Sequence, residues 1–156
     1  MKRKPLLLAL AMAFGLAAPA GAAEAADAQI VILHTNDVHC QIDPVTDPET
    51  GSVTSLGYAG VAAYKAEMEA QYGTENVILV DAGDAIQGGP VGTLSQGSYI
   101  VDIMNQVGYD LAVPGNHEFD YGMDNFLDLA RNRAQYPYLC ANFTDLEGNP
   151  ILDAYT

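Results

Sequence analysis

Residues 77–84 read Val-Ile-Leu-Val-Asp-Ala-Gly-Asp, an unbroken apolar run that ends in two carboxylates. Such a run predicts a strand over Val77–Val80 that is buried on both faces, as in the parallel sheets of α/β proteins. Three further apolar runs predict strands of the same kind, over Gln29–His34, Leu111–Val113 and Tyr138–Ala141. The fold then depends on what connects these four strands.

Amphipathic segments occupy the three connections. Their apolar spacing predicts helices from about Tyr58 to Tyr72, from Tyr99 to Val107, and from near Asp124 onward. The residues expected on the buried faces are Val61, Tyr64 and Met68 in the first helix, Ile100, Ile103, Met104 and Val107 in the second, and Phe126, Leu127, Ala130 and Ala134 in the third. A β-α-β-α-β-α-β order predicts the α/β class, with a largely parallel sheet flanked by helices.

Small and polar residues mark the ends of these elements. Gly73 is expected to stop the first helix, while Ser98 as N-cap and Gly108 after the last turn bound the second. The segment Asp43–Ser55 is rich in Pro, Asp, Thr, Gly and Ser and predicts a loop. The glycines within residues 88–92 favour a flexible loop over a phosphate cradle, because no Lys follows them.

The first 22 residues have the pattern of a secretory signal peptide. Three basic residues at positions 2–4 precede an apolar run of 13 residues, Leu6–Ala18, and small residues at 20 and 22 suit cleavage after Ala22. The run is too short to span a bilayer. We therefore expect export to the periplasm, cell surface or medium, a mature domain over 23–156, and no stable membrane span in that domain.

The charge of the chain excludes several classes of partner. Six basic residues against 20 acidic ones give a formal charge of −14, and removal of residues 1–22 leaves only Lys65, Arg131 and Arg133 as cations, a charge of −17. Such a field repels phosphate backbones and anionic lipid surfaces, so nucleic acid is not an expected partner. The two cysteines, Cys40 and Cys140, are too few for a disulfide scaffold and leave one disulfide or two thiols as alternatives.

Polar, metal-ligating side chains follow three of the predicted strands. The segments are Asn36-Asp37-Val38-His39, Asp81-Ala82-Gly83-Asp84 and Gly115-Asn116-His117-Glu118-Phe119-Asp120. The carboxyl ends of parallel strands form the edge where α/β proteins bind ligands, so these loops are expected to meet there. Carboxylate, imidazole and amide groups together suit Mn²⁺, Fe²⁺ or Zn²⁺ better than Ca²⁺, which takes oxygen ligands only.

Each segment alone also has a purely structural explanation. Asp37 and His39 could be a cap and a hydrogen-bonded imidazole, Gly83-Asp84 a turn, and Asn116-His117 a left-handed turn. His34, inside the first strand, is expected to be structural. The occurrence of all three segments in order, each at the end of its own strand, is what favours a metal site.

Together these segments resemble the calcineurin-like metallophosphoesterase signature, Asp-x-His, then Gly-Asp, then Gly-Asn-His-Glu. The longer strings Ile-Leu-His-Thr-Asn-Asp at 32–37 and Gly-Asn-His-Glu-Phe-Asp at 115–120 are similar to those of the secreted 5′-nucleotidases within that superfamily. The resemblance implies a metal-dependent phosphoric monoester hydrolase. Its substrate would be a nucleoside monophosphate or a related small phosphoester, and two metals about 3.5–4 Å apart would activate the attacking water.

The same resemblance implies a metal ligand set. Asp37 and His39 would hold one divalent ion and Asn116 the other, with Asp84 bridging the two and Asp81 as its nearby rival. The ions could be Mn, Zn, Fe, Mg or Co. In this arrangement, the metals also reconcile an acidic protein with an anionic substrate.

The catalytic roles implied by the resemblance fall on two residues that bind no metal. His117 would stabilise the charge on the phosphoryl transition state, and Asp120 would orient its imidazole and favour the imidazolium form.

The chain departs from the family pattern in three respects. Relatives carry additional histidines that complete the metal sites, whereas this chain has His34, His39 and His117 only, and it lacks the family's C-terminal nucleotidase domain. Cys40 stands where glycine is usual. We therefore expect the N-terminal part of a longer enzyme, with an incomplete domain over 23–156. The alternatives are an inactive exported metal-binding fragment, or a relative acting on cyclic nucleotides, UDP-sugars or thiosulfate conjugates.

Overall fold

The computed structural model describes residues 29–156, and the signal peptide expected at 1–22 lies outside these residues. The strands are β1 (Val31–Thr35), β2 (Val45–Thr46), β3 (Val53–Ser55), β4 (Val77–Asp81) and β5 (Leu111–Ala112). The α-helices are α1 (Gly57–Tyr72), α2 (Gly89–Ser95), α3 (Ser98–Val107) and α4 (Met123–Asp128). Short 3₁₀ turns cover Thr74–Asn76 and His117–Phe119, and a π-helical segment, Leu129–Arg133, continues α4. This mixture confirms the α/β class.

Three strands form a parallel sheet in the order β1-β4-β5. Val31 pairs with Val77 and Thr35 with Asp81, and β4 continues to β5 through the pair Asp81 and Ala112. Because the strands are parallel, their carboxyl ends lie at one edge of the sheet. The three loops that carry the predicted ligands therefore leave the sheet side by side.

The core lies on one face of this sheet. Leu79 of β4 belongs to a buried cluster that includes Ile100 and Met104 of α3 and Phe126 of α4. β1, in contrast, alternates between partly buried and exposed positions, and Ile32 is 65% exposed. The prediction that all strands are buried on both faces is therefore wrong for β1: its exposed residues alternate with partly buried ones, so one face of the strand is open to solvent within residues 29–156.

The long helices agree with the sequence pattern, but details of their ends and faces differ. α1 and α3 occupy the predicted segments, with Gly73 and Gly108 directly after their last residues. Tyr64 was expected to face inward and is exposed. Ser98 is not the N-cap of α3, because Gly97 takes that place in a left-handed conformation with φ of 87° and Ser98 is already helical.

Three segments differ in secondary structure from the prediction. The segment 88–92, which was predicted to be a flexible loop, contains the start of α2. Pro90 lies in the first turn of this helix, a position that proline favours. The predicted loop Asp43–Ser55 contains the antiparallel pair β2 and β3. The strand predicted over Tyr138–Ala141 is reduced to single bridges, Ala112 with Tyr138 and Leu139 with Asp153.

Two further features bear on the predictions. Cys40 and Cys140 are both free thiols, which decides between the alternatives that the sequence left open. Over residues 29–156, none of the helices has the length and apolarity that crossing a bilayer requires.

Candidate metal centre

The loop after β1 is held in an unusual backbone conformation. Asp37, His39 and Cys40 all have positive φ values, of 51°, 46° and 60°. Their backbone N–H groups donate to the carbonyl oxygens of residues 83, 84 and 85 at 2.9–3.0 Å. A ladder of backbone bonds to the neighbouring loop therefore offsets the cost of left-handed conformations, which is about 1–2 kcal/mol per residue.

The orientation of the His39 ring suits a metal ligand. Its Nδ1 lies 3.0 Å from the carbonyl oxygen of Gln87. A carbonyl oxygen only accepts hydrogen bonds, so Nδ1 must carry the proton, and in the neutral ring Nε2 keeps its lone pair. Ligating histidines are commonly fixed in this way by a second hydrogen bond to a carbonyl or carboxylate.

Of the two carboxylates after β4, only Asp84 lies beside this ring. Asp84 also has a positive φ, of 60°, and its Oδ1 accepts the backbone N–H of His117 at 2.8 Å. Asp81 is instead buried beneath the loops, where it accepts hydrogen bonds from Thr35 Oγ1 at 2.8 Å and from the N–H of Gly83 at 3.0 Å. Burial raises the pKa of Asp81 to about 6, against the lowering effect of those two bonds.

His117 begins the 3₁₀ turn after β5 and is paired within its own loop. Its Nδ1 lies 2.8 Å from Oδ2 of Asp120. That hydrogen bond and the negative charge of Asp120 raise the pKa of His117 above its ordinary value, while partial burial opposes the shift. The ring stands edge-on to that of His39, with ring centroids 5.1 Å apart.

Together, these loops bring three potential ligands into one group. One ligand atom each from His39, Asp84 and His117 lies within 4.8 Å of the others. The set combines two imidazoles with a carboxylate, a chemistry that suits a transition-metal ion of intermediate softness. Asp37 lies outside this group, and its Oδ2 accepts a hydrogen bond from Asn36 at 2.7 Å. Asn116 is exposed at the head of the 3₁₀ turn.

Glu118, to which the sequence assigned no role, is fully buried next to this group. Its carboxylate accepts backbone N–H groups at 2.6–2.9 Å from Gly115, Asp84 and Ala85, and a longer one from Ile86 at 3.4 Å. The sequence gives no signal for this role, because all the partners of the carboxylate are backbone N–H groups. Cys40, by contrast, is a protonated thiol, since burial raises its pKa to about 11.

Comparison with known proteins gives consistent results. The model of the calcineurin-like phosphoesterase family matches residues 30–154. A snake venom 5′-nucleotidase of Gloydius brevicauda is 38% identical over 140 residues, which cover 88% of this chain and 23% of that protein. The 5′-nucleotidase of Homo sapiens is 34% identical over 142 residues, which cover 90% and 24%. The chain thus spans about a quarter of the length of these relatives.

Solved structures agree with this assignment. The NAD nucleotidase of Haemophilus influenzae superposes with a TM-score of 0.63 and 32% identity, covering 76% of this chain and 22% of that one. A calcineurin-like phosphoesterase from Bacillus subtilis gives a TM-score of 0.62 and 31% identity, covering 80% and 40%. These matches confirm the resemblance inferred from the three strand-end segments: the chain belongs to the calcineurin-like phosphoesterase family.

Proposed function

We propose that this chain contributes the metal centre of a metal-dependent phosphoric monoester hydrolase that removes the 5′-phosphate from nucleotides. The observation that carries the proposal is that His39 and Asp84, two of the proposed ligands, lie beside His117, the proposed phosphate-stabilising histidine, at the carboxyl edge of the sheet. Membership of the phosphoesterase family and its 5′-nucleotidase relatives support the reaction and the substrate class.

The metal ligands in this proposal are those of the sequence-based hypothesis. Asp37 and His39 would hold one divalent ion and Asn116 the other, and Asp84 would contribute its carboxylate to both. The fixed tautomer of His39, which leaves Nε2 free, supports its part in this set. When bound, two divalent ions neutralise phosphate charge and make water a competent nucleophile near neutral pH.

The remaining roles belong to His117 and Asp120. The Asp120 carboxylate holds the proton on Nδ1 of His117, so that the Nε2–H of the imidazolium is free to donate to a phosphate oxygen. This donor stabilises negative charge as it develops in the transition state. The acidic surface supports a small phosphoester as substrate, in preference to nucleic acid.

We also propose that residues 1–22 direct export and that the native product continues the domain beyond residue 156. The intact mass of the exported product tests this part. A mass well above the 16.5 kDa of residues 1–156 supports the continuation, and a mass at or below that value contradicts it. A product that begins at Ala23 supports the export, and one that keeps residues 1–22 contradicts it.

The activity itself is tested by phosphate release from AMP by the native product. We expect turnover with Mn²⁺ that is abolished by a chelator. The substitution Glu67→Gln, at an exposed position of α1, should leave this rate unchanged as a control for a lost carboxylate. Parallel assays with a 2′,3′-cyclic nucleotide, a UDP-sugar and NAD define the substrate class. Mn²⁺ binding without hydrolysis of any phosphoester would favour the alternative of a non-catalytic metal-binding protein.

A further inference from the structure

The Glu118 carboxylate lies where the loops after β4 and β5 meet, away from any solvent. One oxygen accepts the N–H groups of Asp84 and Gly115, at 2.8 and 2.6 Å, so a single atom joins the two loops. The other oxygen accepts the N–H groups of Ala85 and Ile86, at 2.9 and 3.4 Å. Each oxygen is thus used twice, and every acceptor bond ends on the backbone.

The three successive N–H groups of residues 84–86 converge on one anion. Consecutive backbone amides that follow a left-handed residue form a concavity that binds negative charge. The residue before these amides, Gly83, has φ of 99°, and Asp84 itself has φ of 60°. The Glu118 carboxylate fills this concavity and, unlike a free anion, cannot diffuse away from it.

The connection between the loops is reciprocal. Glu118 of the β5 loop accepts the N–H of Asp84, while the carboxylate of Asp84 accepts the N–H of His117 at 2.8 Å. Since residues 117 and 118 are adjacent, these two bonds close a ring between the loops. A displacement of the Glu118 carboxylate must therefore move the Asp84 side chain and the His117 ring relative to each other.

We propose that Glu118 is a positioning residue, whose carboxylate fixes the separation between the Asp84 carboxylate and the His117 ring in the candidate metal centre. This inference rests on the proposed function, because it concerns the geometry of the same centre. Glu118 itself is fully buried, and both of its oxygens already accept backbone N–H groups, so the role assigned to it is positioning and not ligation.

The informative variant is Glu118→Gln, which keeps the length and shape of the side chain. A glutamine side chain has one carbonyl oxygen that accepts hydrogen bonds, and its NH₂ group donates hydrogen bonds and cannot accept them. One of the two pairs of backbone N–H groups therefore loses its acceptor. Glu118→Asp keeps the charge but is one methylene shorter, and Glu67→Gln on exposed α1 is the matched control.

Two measurements on the native product separate positioning from general stabilisation. Hydrogen exchange, followed without metal, should become about tenfold faster or more at the amides of Asp84 and Gly115, and stay unchanged at Ala112 and Met104 in the core. The dissociation constant for Mn²⁺ alone should rise about 10–100-fold in Glu118→Gln. Glu118→Asp should lie between that variant and the wild type, and Glu67→Gln should match the wild type in both measurements.

Other results overturn the proposal. Faster exchange at the core amides as well as the loop amides would make Glu118 a general stabilising residue. Faster exchange in the loops with an unchanged Mn²⁺ dissociation constant would show that Glu118 orders the loops but does not set the geometry of the metal centre. If Glu118→Gln does not fold, Glu118→Asp decides by the same criteria. If the wild type does not bind Mn²⁺, the proposed function fails. Separately, if hydrogen exchange at Asp84 and Gly115 is the same in Glu118→Gln as in the wild type, Glu118 does not hold the two loops together.

Discussion

The loops after β1 and β5 both pack against the loop after β4, but different hydrogen bonds hold each of them in place. The β1 loop uses backbone bonds, from Asp37, His39 and Cys40 to the carbonyls of residues 83–85, and adopts three left-handed conformations in doing so. The β5 loop uses the buried side chain of Glu118, and Asn116 at its turn has an ordinary helical φ of −74°.

This difference shows two ways to place a ligand at the edge of a sheet. Backbone bonds tolerate almost any side chain, so the strain of the β1 loop leaves little trace in the sequence. A side-chain anchor, by contrast, depends on a single residue and is sensitive to its substitution. The two histidines, His39 in the strained loop and His117 in the relaxed one, should accordingly differ in function.

The largest expected effect comes from exchanging each histidine for alanine. His117→Ala should lower kcat for AMP about 10²–10³-fold, because one donor to the transition-state charge is lost. It should leave the Mn²⁺ dissociation constant within about threefold of the wild type, whereas His39→Ala should raise that constant at least about tenfold. Calorimetric titration with Mn²⁺ and steady-state kinetics measure the two quantities. If both variants lose Mn²⁺ affinity equally, His117 is itself a ligand and the comparison fails.

A second test fills the space between the β4 and β5 loops. Gly83 has φ of 99°, and a Cβ there would lie 2.5 Å from the backbone nitrogen of Gly115. Gly83→Ala should therefore lower the free energy of unfolding by roughly 3 kcal/mol, from backbone strain and overpacking together. Gly148→Ala, at φ of 87° with open space around it, should cost only about 1 kcal/mol. Urea unfolding of both variants gives the difference, and equal losses would contradict the close approach of the loops.

A third test concerns Asp81, which lies beneath both loops. Burial raises its pKa in the folded protein to about 6, above about 3.9 in an unfolded chain. The folded state therefore binds more protons between those values, and its stability falls as pH rises through that window. This contribution is roughly 2–3 kcal/mol and should be absent in Asp81→Asn. Urea unfolding at pH 4, 5, 6 and 7 gives the slope of the free energy of unfolding against pH for the wild type and for Asp81→Asn. Identical slopes would contradict a raised pKa for Asp81.

Periodicity and motif order were enough to predict the part of the molecule that regular hydrogen bonding builds. The parallel sheet, α1, α3 and the meeting of three loops at one edge follow from apolar runs and from residues placed directly after them. The pattern failed where tertiary contacts decide the structure. The solvent-exposed face of β1 reflects the absence of a covering element over that face within residues 29–156, and the single bridges at Tyr138 and Leu139 reflect pairing with short partners.

Within the site, the sequence indicated which residues take part but not how they are held. The choice of Asp84 over Asp81 followed from the resemblance, and the proximity of Asp84 to His39 supports it. The role of Glu118 could not be predicted, because four backbone amides from two loops converge on it only after folding. Backbone donors leave no mark in an amino-acid sequence.

The smallest expected effect tests whether His117, in the relaxed loop, acts as an imidazolium. In Asp120→Asn the amide oxygen can still accept from Nδ1, so the ring keeps its orientation, but the negative charge that raises the pKa of His117 is gone. A raised pKa keeps the imidazolium present to higher pH, so losing that charge should move the alkaline limb of kcat/KM to lower pH. The rate on the alkaline side should fall about tenfold, with little change on the acid side. Asp124→Asn, the same change in the first turn of α4, is the control. If the limb does not move, or moves equally in the control, His117 does not act as the imidazolium, and its pairing with Asp120 serves only to hold the loop.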